Sequence, residues 1–246
     1  MKIVLLGTGG YHPNALRHTP CLLIPECGLM LDAGTGMFRA GQYLKTSQLD
    51  IFLSHVHLDH VIGLTYLFDV QQAHPLDRVT VHAGPAELAA IDAHLFAKPL
   101  FPQRPAMDFQ PLTAEGSLPH GGRLTHFPLD HPGQARGYRL DWPGHSMAYV
   151  TDTTARLDAD YVPKIHGVDL LVHECYFRDD EAPWAGKTGH SCITPVVQVA
   201  RQAGVGRLIL VHVNPLALAA DPLGLDVARA IFPCTELGCD LMEVEF

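Results

Sequence analysis

The segment at residues 54–60 (SHVHLDH) constrains this chain more than any other and follows directly on the apolar run at 51–53 (IFL). Side chains of an extended strand repeat every two residues, so His55 and His57 face the same side. Apolar residues downstream predict a helix that begins near the end of the segment. Burying so many polar side chains directly after a buried strand costs free energy unless they are hydrogen-bonded or coordinate a metal. The segment therefore predicts a metal site, with two imidazoles at one position and a carboxylate plus an imidazole at a second.

The composition places this chain among ordered globular enzymes. With 246 residues, 47% of them apolar and 17% charged, it is long enough to bury a large core. The formal net charge is −9, and no run of lysine or arginine suggests an arm for nucleic acid or a patch for membrane binding. No apolar run approaches the roughly 18 residues of a membrane span.

The cysteines and the first residues of the chain predict a reducing compartment. The six cysteines contain no CxxC pair, so neither a disulfide framework nor a zinc ribbon is indicated. The first apolar segment, residues 3–6, is too short for a signal peptide. We therefore expect reduced cysteines and a cytoplasmic protein.

One local arrangement recurs along the chain: an apolar strand, a histidine or aspartate at its C-terminal end, then a loop or helix. It occurs after the strands that lead to His55, Asp152, His173 and His212. Functional groups of such sheets collect at one rim of the strands. We predict an α+β fold, an αββα sandwich of two mixed, mainly antiparallel sheets flanked by helices, as one domain over residues 1–246.

Three further segments bear on the site. The glycines at residues 7–10 favour a tight turn over a phosphate-binding loop, because no helix pattern follows. Asp32 comes after a predicted hairpin strand, and its role stays open between a metal ligand and the cap of a glycine turn. The proline-rich residues 99–105 predict an irregular loop that could shape a substrate entrance.

Several segments together resemble a known family. Residues 55–60 resemble the HxHxDH signature of the metallo-β-lactamase fold superfamily. Residues 6–10, 31–34, 171–174, 189–191 and 210–215 resemble its ribonuclease Z-like phosphodiesterases, and the chain is also similar to the cyclic-phosphate phosphodiesterase of phosphonate breakdown. The resemblance covers essentially the whole chain.

The resemblance implies seven ligands for two divalent metal ions. The first ion would be held by His55, His57 and His131, the second by Asp59, His60 and His212, and Asp152 would bridge them. His126 and His145 are rivals of His131, which is preferred because Gly137, Tyr138 and Arg139 follow it. Zinc is the expected metal for imidazole and carboxylate ligands, with manganese and iron as alternatives.

The resemblance also implies a mechanism. A hydroxide bridging the two metals would attack a phosphodiester in line at phosphorus. His190 would donate a proton or a hydrogen bond to the leaving oxygen, and Glu174 would raise the pKa of its imidazole. Asp59 is the third residue with a predicted catalytic role. The alternatives are a helix N-terminal position near Ser191 for His190 and packing behind the site for His173.

The substrate is expected to be small. Transfer-RNA-processing enzymes of this branch carry a protruding arm containing glycine and proline, and no long insertion here would form one. We therefore expect a small-molecule or short single-stranded phosphodiester, no membrane partner, no strong nucleic-acid-binding surface and, as a family expectation, a homodimer. A thioester, lactone or aryl sulfate hydrolase is the alternative enzyme, and a non-catalytic metal-binding protein is the alternative class.

Overall fold

The computed structural model describes residues 1–246 as two compact units. The first unit comprises Met1–Thr8, His12–Thr113 and Asp240–Glu245. The second comprises Gly9–Tyr11, Ala114–Cys239 and Phe246. Each unit contains one seven-stranded sheet. That residues 1–246 form a single domain stays a prediction.

The sheet of the first unit has the order β14-β1-β2-β3-β4-β5-β6. Its strands are β1 Lys2–Gly7, β2 Cys21–Ile24, β3 Leu29–Leu31, β4 Gln48–Phe52, β5 Arg78–Ala83, β6 Asp108–Pro111 and β14 Met242–Glu245. The α-helices of this unit are α1 Leu58–Val61, α2 Leu67–Ala73 and α3 Pro85–Ala90. The central strands are buried along their whole apolar length, as expected where both faces of a sheet are covered.

The sheet of the second unit has the order β13-β12-β11-β10-β9-β8-β7. Its strands are β7 Glu115–Leu118, β8 Gly122–Leu129, β9 Ala135–Trp142, β10 His145–Val150, β11 Leu170–Glu174, β12 Arg207–Val211 and β13 Thr235–Leu237. The helices are α4 Ala182–Thr188, α5 Ile193–Gln202 and α6 Leu225–Ile231. The apolar side of α5 packs into this unit's core through Val196, Val197 and Ala200.

The expectation of mainly antiparallel sheets is wrong. Each sheet has three antiparallel and three parallel pairings. Hydrophobic periodicity identifies a strand but not its direction, and the long connections at residues 53–77 and 84–107 are what parallel neighbours require.

The residue patterns at 38–44 and 157–165 predict two helices, and both are shorter or tighter in the structure. The segment expected as a helix at residues 38–44 is the 3-10 helix Thr35–Gln42. The segment at 157–165 forms only the 3-10 turn Val162–Ile165, because Pro163 lacks the N–H that a longer helix would need.

The structure contains no helix with the length and apolarity needed to cross a bilayer. All six cysteines are unbonded, and Cys21, Cys27, Cys175 and Cys192 are buried. Burial raises the pKa of the Cys21 and Cys175 thiols well above its ordinary value, which keeps both protonated.

Candidate active site

Four of the predicted ligands lie in the first unit, after β4 and within α1. His57 is the extended residue that precedes α1, and Asp59 and His60 lie in its single turn. The ligand atoms of His55 and His57 lie within 4.8 Å of each other, and so do those of Asp59 and His60. His60 Nε2 is 3.5 Å from Asp59 Oδ2. The structure therefore pairs these side chains as their spacing predicts.

Asp32 holds this segment in place from the end of β3. Its Oδ1 accepts the Ser54 N–H at 2.7 Å, and its Oδ2 accepts the Ser54 hydroxyl and His60 Nδ1–H, both at 2.8 Å. The Ser54 hydroxyl oxygen also lies 3.0 Å from Nδ1 of His55. Hydrogen bonds at Nδ1 fix the ring orientation and make Nε2 the atom that would coordinate a metal.

The role of Asp32 is therefore neither of those that the sequence left open. The residue is fully buried and has a φ of 57°, a left-handed conformation that non-glycine residues adopt at a cost. The sequence contains one signal for a structural role of Asp32: it directly follows a buried strand and precedes a glycine by two residues.

The second unit presents its polar groups at the C-terminal ends of three neighbouring parallel strands. Asp152 lies two residues beyond β10, Glu174 is the last residue of β11, and His212 follows β12. Pairing of Val150 with His173, and of Glu174 with Val211, brings these ends to one edge of the sheet. This edge is where sheets of this kind place functional groups.

Gly10 makes room for the His212 ring. A Cβ at Gly10 would lie 2.5 Å from two ring atoms of His212, closer than any side chain can approach. The Gly10 N–H donates to the Val213 carbonyl at 3.0 Å, which ties the glycine segment to the strand end. His212 itself has a φ of 58°. Gly10, one of the glycines predicted to form a tight turn, thus serves a close approach between backbone and imidazole.

Asp152 offers one carboxylate oxygen to each of two imidazoles. Its Oδ1 is 3.2 Å from His212 Nε2, and its Oδ2 is 3.7 Å from His131 Nε2. The Thr151 hydroxyl donates to Oδ1 at 2.8 Å, and the carboxylate is almost fully buried. A carboxylate with its two oxygens directed at different ligands has the arrangement needed to bridge two ions.

The structure places His131, and neither rival, beside Asp152. His131 Nδ1–H donates to the Gly189 carbonyl at 2.9 Å, which directs Nε2 toward the carboxylate. His126 lies in the middle of β8 opposite Tyr138, and His145 is the exposed first residue of β10. Neither belongs to a group that could hold a metal.

His190 is held by Glu174. Its Nδ1–H donates to Glu174 Oε1 at 3.0 Å, and its ring stacks on Tyr176 at 4.7 Å. The fully buried Glu174 also accepts the N–H groups of Thr153 at 3.0 Å and Ser191 at 3.3 Å. His190 borders a cavity of about 540 Å³. It lies ahead of Cys192, the residue that precedes α5, so the structure does not place it in the first turn of that helix, which was the alternative.

The position of His190 allows a second role. One ligand atom each of Asp152, His190 and His212 lies within 4.8 Å of the other two. The imidazole can therefore act as a ligand as well as a proton donor.

His173 belongs to the core behind the site. Its Nδ1–H donates to the Glu174 carbonyl at 2.7 Å, and the Tyr161 hydroxyl donates to its Nε2 at 2.9 Å. Burial lowers the pKa of the His173 imidazole and raises the pKa of Tyr161, so both side chains stay neutral. These contacts favour packing behind the site for His173.

The family follows from the sequence match. Residues 29–213 match the model of the Beta-lactamase superfamily domain, which is most of the chain. This chain belongs to that family. The resemblance to the metallo-β-lactamase fold superfamily is thereby confirmed.

Relatives narrow the position within the family, and structural neighbours share the fold. Ribonuclease Z of Salinibacter ruber is 29% identical, covering 100% of this chain and 94% of that enzyme. Ribonuclease Z of Synechococcus sp. is 38% identical over 101 residues, only 39% of this chain and 31% of that enzyme. The metallo-beta-lactamase fold protein YhfI from Bacillus subtilis has a TM-score of 0.84 at 19% identity, covering 100% of this chain and 99% of that one. Human tRNase Z, short form, has a TM-score of 0.77 at 20% identity with the same coverage.

These matches confirm the ribonuclease Z-like branch and the fold class, with two mixed seven-stranded sheets and flanking helices. The alignment with the Salinibacter enzyme spans 310 positions, more than the 246 residues of this chain. That relative therefore carries insertions that this chain lacks.

Proposed function

We propose that this chain is a metal-dependent phosphodiesterase that holds two divalent metal ions. The observation that carries the proposal is Asp152, whose two carboxylate oxygens are directed at the imidazoles of His131 and His212. The ribonuclease Z relatives confirm the predicted class of enzyme, a metal-dependent hydrolase acting on phosphodiester bonds. The proposed ligands are His55, His57 and His131 for one ion, Asp59, His60 and His212 for the other, and Asp152 for both.

The donor set fits divalent metal ions. Imidazole nitrogens and carboxylate oxygens suit zinc, and manganese or iron can use the same ligands, so zinc is the metal that we propose. Two such ions, when bound, lower the pKa of a water molecule and offset the negative charge of a phosphoryl group. The attraction of an anionic substrate then needs no basic surface, in agreement with the net charge of −9.

The protein's own side chains orient the ligands and move one proton. Asp32 and the Gly189 carbonyl hold His60 and His131 through Nδ1, so less entropy is lost when a metal binds. In this proposal, His190 donates a proton to the leaving oxygen, and Glu174 stabilises the protonated imidazole. Asp59 retains its predicted catalytic role as a ligand beside His60.

Replacing His190 by alanine should lower diester turnover by about 10²- to 10⁴-fold, the usual contribution of a positioned proton donor. Metal content should stay at the wild-type value, because seven other side chains are assigned to the ions. Turnover and metal content are to be measured on the same preparations, with His126→Ala as the matched histidine control. A loss of bound metal in His190→Ala would make His190 a ligand and contradict the role proposed here.

We infer a small or short single-stranded substrate, a cytoplasmic location and a homodimer. The substrate inference is supported by the insertions that the Salinibacter enzyme has and this chain lacks. The location is supported by six unbonded cysteines. The homodimer is carried over from the family resemblance alone.

Hydrolysis of bis(p-nitrophenyl) phosphate by zinc-loaded and manganese-loaded protein tests the proposed function. Lactone, thioester and aryl sulfate substrates belong in the same assay, because the same site would serve them. We expect metal-dependent release of p-nitrophenol from the diester, abolished by a chelator and restored by added metal. Turnover of another ester without turnover of the diester would support the proposed metal site and contradict the proposal of a phosphodiesterase.

A further inference from the structure

A cavity of about 520 Å³ lies in the first unit beside the proposed metal ligands. Val56 and Leu58, which alternate with His55, His57 and Asp59 along the chain, form one of its walls. Ala90 at the end of α3 and residues of the π-helical turn Ile91–Leu95 also line it. Single π-helical turns are uncommon and occur frequently at functional sites.

The proline-rich loop completes this cavity. Leu100 and Phe101 of that loop line it, and the role of residues 99–105 at a substrate entrance stays a prediction. Leu58 and Leu100 are 69% and 76% exposed, so both present apolar surface to solvent at the cavity. Large apolar side chains that stay in water around a cavity mark a binding site for apolar groups.

The lining of the cavity excludes charged ligands. It contains no lysine, arginine, aspartate or glutamate, and its polar members are Thr65 and His94. The Thr65 hydroxyl already donates to the Ile62 carbonyl at 2.7 Å. A nucleobase would leave several of its donors and acceptors unpaired against this apolar lining, which disfavours its binding. A second phosphate would meet no cation.

We propose that this cavity is the subsite for an uncharged alkyl or aryl substituent of the substrate. The inference rests on the proposed function and names its substrate class: a small phosphodiester that carries one apolar arm. Val56 and Leu58 are covalent neighbours of His57, so the wall of the cavity begins one residue from a ligand that would hold the phosphoryl group, within reach of an extended ester substituent. Burial of that substituent supplies the binding free energy that a substrate without a polynucleotide backbone lacks.

Alkyl p-nitrophenyl phosphates that differ only in the alkyl group test the subsite. On metal-loaded protein, kcat/KM should rise about two- to fourfold per methylene from methyl to hexyl, as expected for buried CH₂ groups. Ala90→Phe should remove this rise by filling the cavity. Leu100→Asp, at an exposed position that does not threaten folding, should remove it by charging the entrance. Leu16→Asp, a leucine 61% exposed outside the cavity, should retain it.

Binding measurements separate failure of the subsite from failure of the proposed function. Three results would each overturn the subsite. They are equal kcat/KM across the series, faster cleavage of the p-nitrophenyl phosphate ester of thymidine than of the hexyl ester, and a changed oligomeric state in Leu100→Asp. If no diester is hydrolysed, calorimetry with hexyl and ethyl methylphosphonate decides. Tighter binding of the hexyl probe that Leu100→Asp abolishes supports the subsite, and equal binding of the two probes overturns it.

Discussion

Replacing Asp152 by alanine is expected to lower the metal-dependent turnover of bis(p-nitrophenyl) phosphate by at least about a thousandfold. The carboxylate is buried, and its two oxygens lie 3.2 Å and 3.7 Å from the Nε2 atoms of His212 and His131. Its removal deprives both proposed metal positions of a ligand. Loss of several kcal/mol of charge stabilisation corresponds to three or more decades in rate.

The measurement is kcat/KM together with metal content by atomic emission, on wild-type and variant protein purified side by side. Asp130→Ala is the matched control: this aspartate is 67% exposed and pairs with Arg156 at 2.7 Å, a surface ion pair of small value. We expect the control to retain turnover. A variant at Asp152 with turnover within tenfold of the wild type would contradict its assignment as the bridging ligand.

Replacing Asp32 by alanine should lower both metal affinity and the stability of the fold. Three hydrogen bonds end on this buried carboxylate, and each donor left unpaired costs about 1–3 kcal/mol, so the free energy of unfolding should fall by about 3 kcal/mol or more. Metal affinity should fall about 10- to 100-fold, because His60 loses the group that orients its ring. Urea unfolding and competition with a chelator measure the two quantities.

Asp50→Ala provides the comparison for that experiment. Asp50 also accepts a hydrogen bond from an imidazole, Nε2 of His82 at 3.0 Å, but it is partly exposed and lies outside the metal-binding segment. We expect this variant to lose little stability and no metal affinity. An unchanged metal affinity of Asp32→Ala in the chelator competition would contradict the prediction. It would show that Ser54 and His60 keep their geometry without the carboxylate.

Much of the fold was predictable because its signals are local. The strands Arg207–Val211 and Cys21–Ile24 and the helix Leu225–Ile231 have the bounds that hydrophobic periodicity and flanking turn residues indicate. Strand direction was not predictable in the same way. Whether two strands run parallel depends on how the chain between them returns, and residues 53–77 and 84–107 carry no local mark of that path.

The sequence by itself determined the metal-binding segment, its strand-to-helix setting and the ends of the strands that carry Asp152 and His212. These follow from the spacing of neighbours in the chain, which the two-residue strand period converts directly into geometry. Only the tertiary structure decided that Asp32 orients His60, that Gly10 admits the His212 ring, and that an apolar cavity borders Val56 and Leu58. Each of these joins residues distant in the chain, and their contact depends on how strands and loops pack rather than on any pattern of neighbours.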